Sequence, residues 1–303
     1  MKCPRLVFAA AVIAMASVGF DQPTQAQEEA RILMAQSAAA ENTAITPKSD
    51  AKRKINLSGR QRMLSQYMAK AACFASLGVD ETAQVNEMRL AHHLFDITLS
   101  DFRDGSKVQQ IFPERDSTIL TGLTVVERLW RSYGQAVENR EIATIFKENM
   151  MVLTKMNEAV TLFQAKYGSK GDVAPEIAAA LNISGRQRML TQKSSKELCL
   201  IAAGKDEAAN RASLKASVAL FEASMLGLKD GNSAMGLQPA PHPDILAQIG
   251  RVNEAWTPMR VIFAKVADGA KPTMEEVTAV ARQNVAVMQA ANAIVELYEQ
   301  RTK

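Results

Sequence analysis

Aromatic side chains are scarce, at 5% of 303 residues. Strands draw on aromatic and β-branched residues, so a β-sandwich or barrel is disfavoured. The Ala, Leu, Met and Gln that take their place favour helices. Cysteine and histidine are as scarce, at three each. Neither a Cys-x-x-Cys nor a His-Glu-x-x-His spacing occurs, which leaves little material for a metal centre. His92 and His93 are adjacent, so on a helix they diverge by about 100°, and His242 sits in a proline-rich loop. The fifteen methionines form no clustered Met-x-x-Met pattern. Charge of one sign is also missing: 36 basic against 32 acidic residues leave +4, too even a mixture for a nucleic-acid face. No nucleophile–base pair and no paired carboxylates stand at a catalytic spacing, so neither an enzyme nor a cofactor is expected. No hydrophobic run reaches the roughly 20 residues of a membrane span.

What is present is a 47% hydrophobic chain, ample for globular cores. Its first residues read as a secretory signal. Lys2 and Arg5 precede an apolar run over 6–20, and Thr24-Gln25-Ala26 offers small residues before a cleavage point. Residues 1–26 are therefore expected to be a signal peptide, and the mature protein to be periplasmic. Cys3 lies ahead of the apolar run, not after a lipobox. Residues 27–48 read as a flexible lead-in, closed by Pro47.

The strongest feature is internal. Ser58-Gly59-Arg60-Gln61-Arg62-Met63-Leu64-Ser65-Gln66 recurs as Ser184-Gly185-Arg186-Gln187-Arg188-Met189-Leu190-Thr191-Gln192, identical at eight of nine positions and offset by 126. The same offset pairs Asn56 with Asn182, Cys73 with Cys199, Phe95 with Phe221, Pro113 with Pro239 and Trp130 with Trp256. Toward the C-terminus the offset grows, and Met156-Asn157 matches Ala291-Asn292. The chain is a duplication, with copies over 49–168 and 175–303.

Each copy reads as four helices. Ser49 or Asp50 can cap the first, and Gly78 and Gly105 stop the first and second. A third starts after Pro113, and a fourth runs to about Tyr167. In the second copy Pro175 marks a helix start, Gly204 and Gly231 mark stops, and Thr273-Met274-Glu275-Glu276 supplies a capping box. Short connections between helices make antiparallel neighbours. The expected fold is all-α: two tandem antiparallel four-helix bundles.

On the first helix of each bundle the motif forms a narrow seam. Ile55, Gly59, Arg62, Gln66, Ala69 and Cys73 follow a 4-3-4-3-4 spacing, as do Leu181, Gly185, Arg188, Gln192, Ser195 and Cys199. Leu57, Leu64, Met68, Ala71 and Ala75 form an apolar stripe on the opposite side, suited to the bundle's own core. The seam holds no acid. A buried arginine needs an acid, carbonyls or an anion. A glycine one turn away admits close approach, and the guanidinium fork suits a flat oxyanion. Two such helices packed seam to seam would bring Arg62 and Arg188 together around a small anion. Equally, both could pair with acids elsewhere in their own bundles and act as a structural clasp. Arg60 and Arg186 point to another face and read as solvated or ion-paired. Trp130 and Trp256 read as core anchors.

The run Asn-x-Ser-Gly-Arg-Gln-Arg-Met-Leu-Ser/Thr-Gln resembles the first-helix motif of the PilJ-type domain, named for type IV pilus methyl-accepting chemotaxis transducers. It is also similar to the corresponding helix of NarX-type nitrate/nitrite sensor kinases. The resemblance covers both repeats. It implies periplasmic four-helix bundles that associate through first helices and hold nitrate between paired arginines. Carried over, Gly59 and Gly185 give close approach, Arg62 and Arg188 grip the anion, and Gln66 and Gln192 stand one turn on. Leu57 and Ile183 replace a lysine of the nitrate sensors, and Tyr67 and Lys193 replace a further arginine. The expected role is binding or sensing of a small oxyanion, read by a membrane-bound sensor kinase, chemotaxis transducer or transporter, because neither a membrane helix nor a signalling module follows the second copy. The alternative is a helical interaction module without a small ligand.

The duplication further suggests that both halves of the pair lie in one chain. Parallel first helices would then set Cys73 opposite Cys199, as a disulfide or as two buried thiols.

Overall fold

A computed structural model describes residues 44–169 and 172–302. The expected signal peptide and residues 27–43 of the lead-in lie outside the described residues. Eight α-helices follow in order: α1 Pro47–Ser76, α2 Glu81–Asp104, α3 Ser117–Glu138, α4 Ile142–Ser169, α5 Pro175–Ala202, α6 Glu207–Asp230, α7 Pro243–Ala267 and α8 Met274–Arg301. Among the described residues there is no strand; two isolated bridges, Ser106 with Ile111 and Asn232 with Leu237, mark equivalent loops.

Local chemistry sets the ends. α1 begins earlier than Ser49, because Thr46 caps it: its hydroxyl accepts from the Ser49 amide, and Ser49 returns a contact to the Thr46 backbone. Pro47 occupies the first turn, where its missing N–H is no loss. Thr273 and Glu276 close the expected capping box on α8. Asp116 caps α3 by accepting from the amides of Thr118 and Ile119.

Gly105 and Gly231 end α2 and α6 at φ +77° and +88°. The chain then doubles back so that Pro113 and Pro239 sit on these glycines. A Cβ at Gly105 would lie 2.6 Å from Pro113 Cδ and 2.9 Å from its nitrogen. With ψ at 162°, Gly105 also occupies a region essentially closed to other residues. Gly105→Ala is therefore expected to cost about 2–4 kcal/mol of stability, read as a lowered urea midpoint. An unchanged midpoint would show that this turn can rearrange freely.

The helices form two four-helix bundles, α1–α4 and α5–α8, joined through their first helices. α1 packs on α2 and α4, and α5 on α6 and α8. The most extensive helix pair in the molecule is α1 against α5. Trp130 stacks on Phe95 at 4.2 Å and Trp256 on Phe221 at 3.9 Å, so the duplicated tryptophans anchor equivalent cores.

One expectation changes. The two-stripe reading gave α1 an inner and an outer face, but every residue from Lys54 to Phe74 is buried. With α2, α4 and α5 packed around it, α1 has no solvent side over this stretch. Its polar residues must therefore find partners inside the protein.

Candidate functional site: the arginine pair on the helix seam

α1 and α5 pack in parallel and in register. Cys73 and Cys199 are joined as a disulfide with Cα atoms 6.1 Å apart. Eleven residues earlier on each helix, Arg62 and Arg188 cross over to the opposite helix. Arg62 Nη2 donates to the backbone oxygen of Asn182 at 3.0 Å and to its Oδ1 at 2.7 Å. Arg188 Nη2 does the same to Asn56, at 3.3 and 2.6 Å. The Nη1 atoms turn to the fourth helix of their own bundles, Arg62 to Asn157 Oδ1 at 2.8 Å and Arg188 to Asn292 Oδ1 at 2.7 Å. The arrangement has a near two-fold symmetry that follows the repeat.

Both guanidiniums lie over the same two glycines. A Cβ on Gly59 would stand 3.3 Å from Arg62 Nη2 and 3.9 Å from Arg188 Nη2. A Cβ on Gly185 would stand 3.3 Å from Arg188 Nη2 and 4.0 Å from Arg62 Nη2. The glycines thus make the room that the two head groups occupy. Each arginine is 1% exposed, and the Nε of each is buried without a partner. Among the described residues their acceptors are all amide oxygens and none is a carboxylate. Burial, then repulsion from Arg186 and Arg188, lowers Arg62 to about 9. Burial lowers Arg188 to about 10, against the pull of Glu299 and Glu296. Both remain cationic at neutral pH, so two positive charges share a buried compartment in which, among the described residues, their hydrogen-bond acceptors are neutral amides.

Arg60 does not occupy a solvated face, and Arg186 is half-buried; neither makes an ion pair among the described residues. Arg60 is 1% exposed, donates from Nη2 to Thr98 Oγ1 at 3.1 Å, and is lowered to about 9, by burial first. Arg186 makes the equivalent bond to Ser224 Oγ at 3.1 Å and is lowered by burial. The reason is the second helix of each bundle, which covers that side of α1 and α5 and offers a hydroxyl at the same repeat position.

One turn beyond the arginines lies a second polar layer. Gln66 Oε1 accepts from Lys196 Nζ at 2.7 Å, across the seam. Lys196 also donates to Asn149 Oδ1 at 2.8 Å. Its repeat partner Lys70 reaches Asn284 Oδ1 and Glu87 Oε2, both at 3.4 Å. Gln192 is buried, and both its amide atoms lack a partner. The structure therefore brings Gly59, Arg62, Gly185 and Arg188 into one site and leaves Gln66 and Gln192 in the layer beside it.

The four asparagines are the residues that sequence reasoning did not assign to the site. Their signal was present, because Asn56 matches Asn182 at the constant offset and Asn157 matches Asn292 at the later one.

A family model described as type IV pili methyl-accepting chemotaxis transducer N-term (PilJ) matches residues 45–160 and again 174–292. Methyl-accepting chemotaxis protein McpN of Pseudomonas aeruginosa is 32% identical over 98 residues, which make up 32% of this chain and 17% of that protein. The similarity thus spans only a minor part of that relative's length.

Proposed function

We propose that this chain, which belongs to the PilJ family of chemotaxis-transducer domains, is an exported, non-enzymatic sensing module that binds a small oxyanion between Arg62 and Arg188. One observation carries the reading: two buried guanidiniums, each still cationic, converge over Gly59 and Gly185 with only amide oxygens around them. A planar oxyanion bridging the two Nη2 groups would supply the charge that the amides do not, through charge-assisted hydrogen bonds. The likeness of the motif to that of nitrate/nitrite sensors makes nitrate and nitrite the first ligands to test. The basic and apolar N-terminal residues support export, and the family's transducers support a membrane-bound signalling partner.

Seam geometry also suits signalling. The site lies between the two bundles, so a bound anion would bias their packing, and a partner could read that change. The rival reading is a clasp. Its support is the crosswise pairing of Arg62 with Asn182 and of Arg188 with Asn56, which already ties the bundles together.

Calorimetry with sodium nitrate and sodium nitrite, against sodium chloride, separates them. The sensing reading expects saturable heat from one of the two anions and at least a 100-fold weaker affinity in both Arg62→Ala and Arg188→Ala. That loss equals about 3 kcal/mol, the scale of one or two charged hydrogen bonds. No heat from either anion, with lowered melting temperatures in both variants, would leave the clasp.

A further inference from the structure

We propose a docking site: the open groove between the 230–239 loop and the first turns of α5 takes an arginine side chain from a basic segment of a partner protein. The groove holds about 950 Å³.

The first copy shows what such a groove takes. Its 104–113 loop makes the same turn, since the bridge Ser106–Ile111 matches Asn232–Leu237 and each loop folds a proline onto its glycine. There the start of α1 carries Lys52, Arg53 and Lys54. Arg53 seats against the loop: its Nε donates to the Gln109 carbonyl at 3.2 Å, and its Nη1 to Glu299 Oε2 at 3.5 Å. In the second copy the 126-residue offset places Ala178, Ala179 and Ala180 at these three positions, and Met235 at that of Gln109. The loop is kept and the arginine is gone. Ala179, Met235 and Gly236 all line the groove. A Cβ on Gly236 would stand 3.6 Å from Ala179 Cβ, so the loop crosses the place from which Arg53 reaches in the first copy. The Met235 carbonyl, counterpart of the acceptor that Arg53 uses, accepts no hydrogen bond among the described residues.

Charge agrees with that occupant. The lining includes Glu176 and Asp230 and no basic residue. Asp230 lies 3.7 Å from Lys229. Glu176, in the first turn of α5, makes no ion pair among the described residues. It stands three residues before Ala179, and so on the same helix face. A guanidinium seated over Ala179 therefore has a carbonyl and a carboxylate within reach of its fork of donors.

The groove also touches the seam between the bundles. Gln164 lines it, and Gln164 Oε1 accepts from Asn182 Nδ2, whose own Oδ1 accepts from Arg62 Nη2. A partner docked here stands two side chains from the arginine pair. Docking itself is independent of anion binding; only this link rests on the anion reading.

Calorimetry with Nα-acetyl-L-arginine methylamide tests the proposal. The citrulline analogue, which keeps the shape and loses the charge, is the control. The expected result is saturable binding of the arginine compound, about 10-fold tighter than the citrulline compound. Glu176→Gln should weaken it by about the same factor. Ala179→Arg rebuilds the arrangement of the first copy, and should abolish binding while the melting temperature holds. No saturable heat from the arginine compound, a citrulline compound bound as tightly, or unchanged binding in either variant would each overturn the proposal. Sedimentation covers the remaining occupant: a wild-type dimer that Ala179→Arg dissolves would put a second copy of this chain in the groove, and would overturn it too. Both arginines of the seam and their asparagine partners are unchanged in these variants, so nitrate titration reports on that site separately.

Discussion

Reducing the Cys73–Cys199 disulfide is expected to lower the unfolding free energy of this protein by about 4–5 kcal/mol. The bond closes a loop spanning a sequence separation of 126. On the chain-entropy account a loop of about 100 residues is worth about 4.7 kcal/mol, because the cross-link removes freedom from the unfolded chain. Both cysteines are fully buried at the α1–α5 seam, where reduction obliges the two sulfurs to part to non-bonded distance. Urea unfolding with and without a phosphine reductant measures the difference. The double variant Cys73→Ala, Cys199→Ala should unfold at the reduced midpoint and ignore the reductant. A wild-type midpoint indifferent to reductant would show that the thiols are not bridged. The anion binding we propose for the arginine pair should weaken less than stability does, since Arg62 and Arg188 lie three helical turns away and keep their own cross-seam bonds.

Stability of the wild type should rise with pH more steeply than that of Lys196→Met between about pH 7 and 9, by about 0.7 kcal/mol per unit at the start of that window and about 1.4 kcal/mol per unit at its end. Lys196 is 2% exposed. Burial, aided by Lys193 and opposed by Glu197, lowers its ammonium to about 7 from the usual 10.5. Its direct oxygen partners, Gln66 Oε1 from α1 and Asn149 Oδ1 from α4, are neutral. Between the folded value near 7 and the unfolded value of 10.5 the unfolded chain keeps this proton while the folded chain progressively loses it. The unfolded state therefore binds more protons, and stability increases with pH across that window. One proton of difference is worth about 1.4 kcal/mol per pH unit. Above pH 10 the sign reverses for other groups, because burial raises Tyr133, Tyr167 and Tyr298 while unfolded tyrosines ionise. The comparison is thus confined to pH 7–9, by urea unfolding of both proteins. Parallel stability curves would mean that Lys196 stays protonated in the fold. The methionine variant leaves two buried oxygens without a donor, so its stability at any single pH is less informative than the slope.

Much of this architecture is legible residue by residue. Gly78, Gly105, Gly204 and Gly231 all take positive φ where helices stop, and Thr273 with Glu276 forms the capping box that its spacing announces. Such signals are local, because a helix end needs only a few neighbouring residues to satisfy its free amides and carbonyls. The 126-residue offset carried further, since first helices that share the glycine–arginine–glutamine seam have a near-symmetric way to pair. Arg60 shows where this reading stops. Its spacing placed it away from the seam, but only the position of α2 turns that face into the interior and Thr98 into its partner.

Sequence by itself determined eight helices, two copies and the pair of glycine–arginine motifs. Periodicity and end signals act within a helix, and duplication transmits one solution to both halves. Tertiary structure alone decided what the arginines meet. Asn157 and Asn292 come from fourth helices related by a different offset, and Asn56 and Asn182 act on the opposite copy's arginine, not their own. Contacts of that kind depend on the docking of one bundle against the other, which no local pattern encodes. The same docking buried two arginines at the centre of an apparently balanced chain and gave them amide oxygens as their hydrogen-bond acceptors.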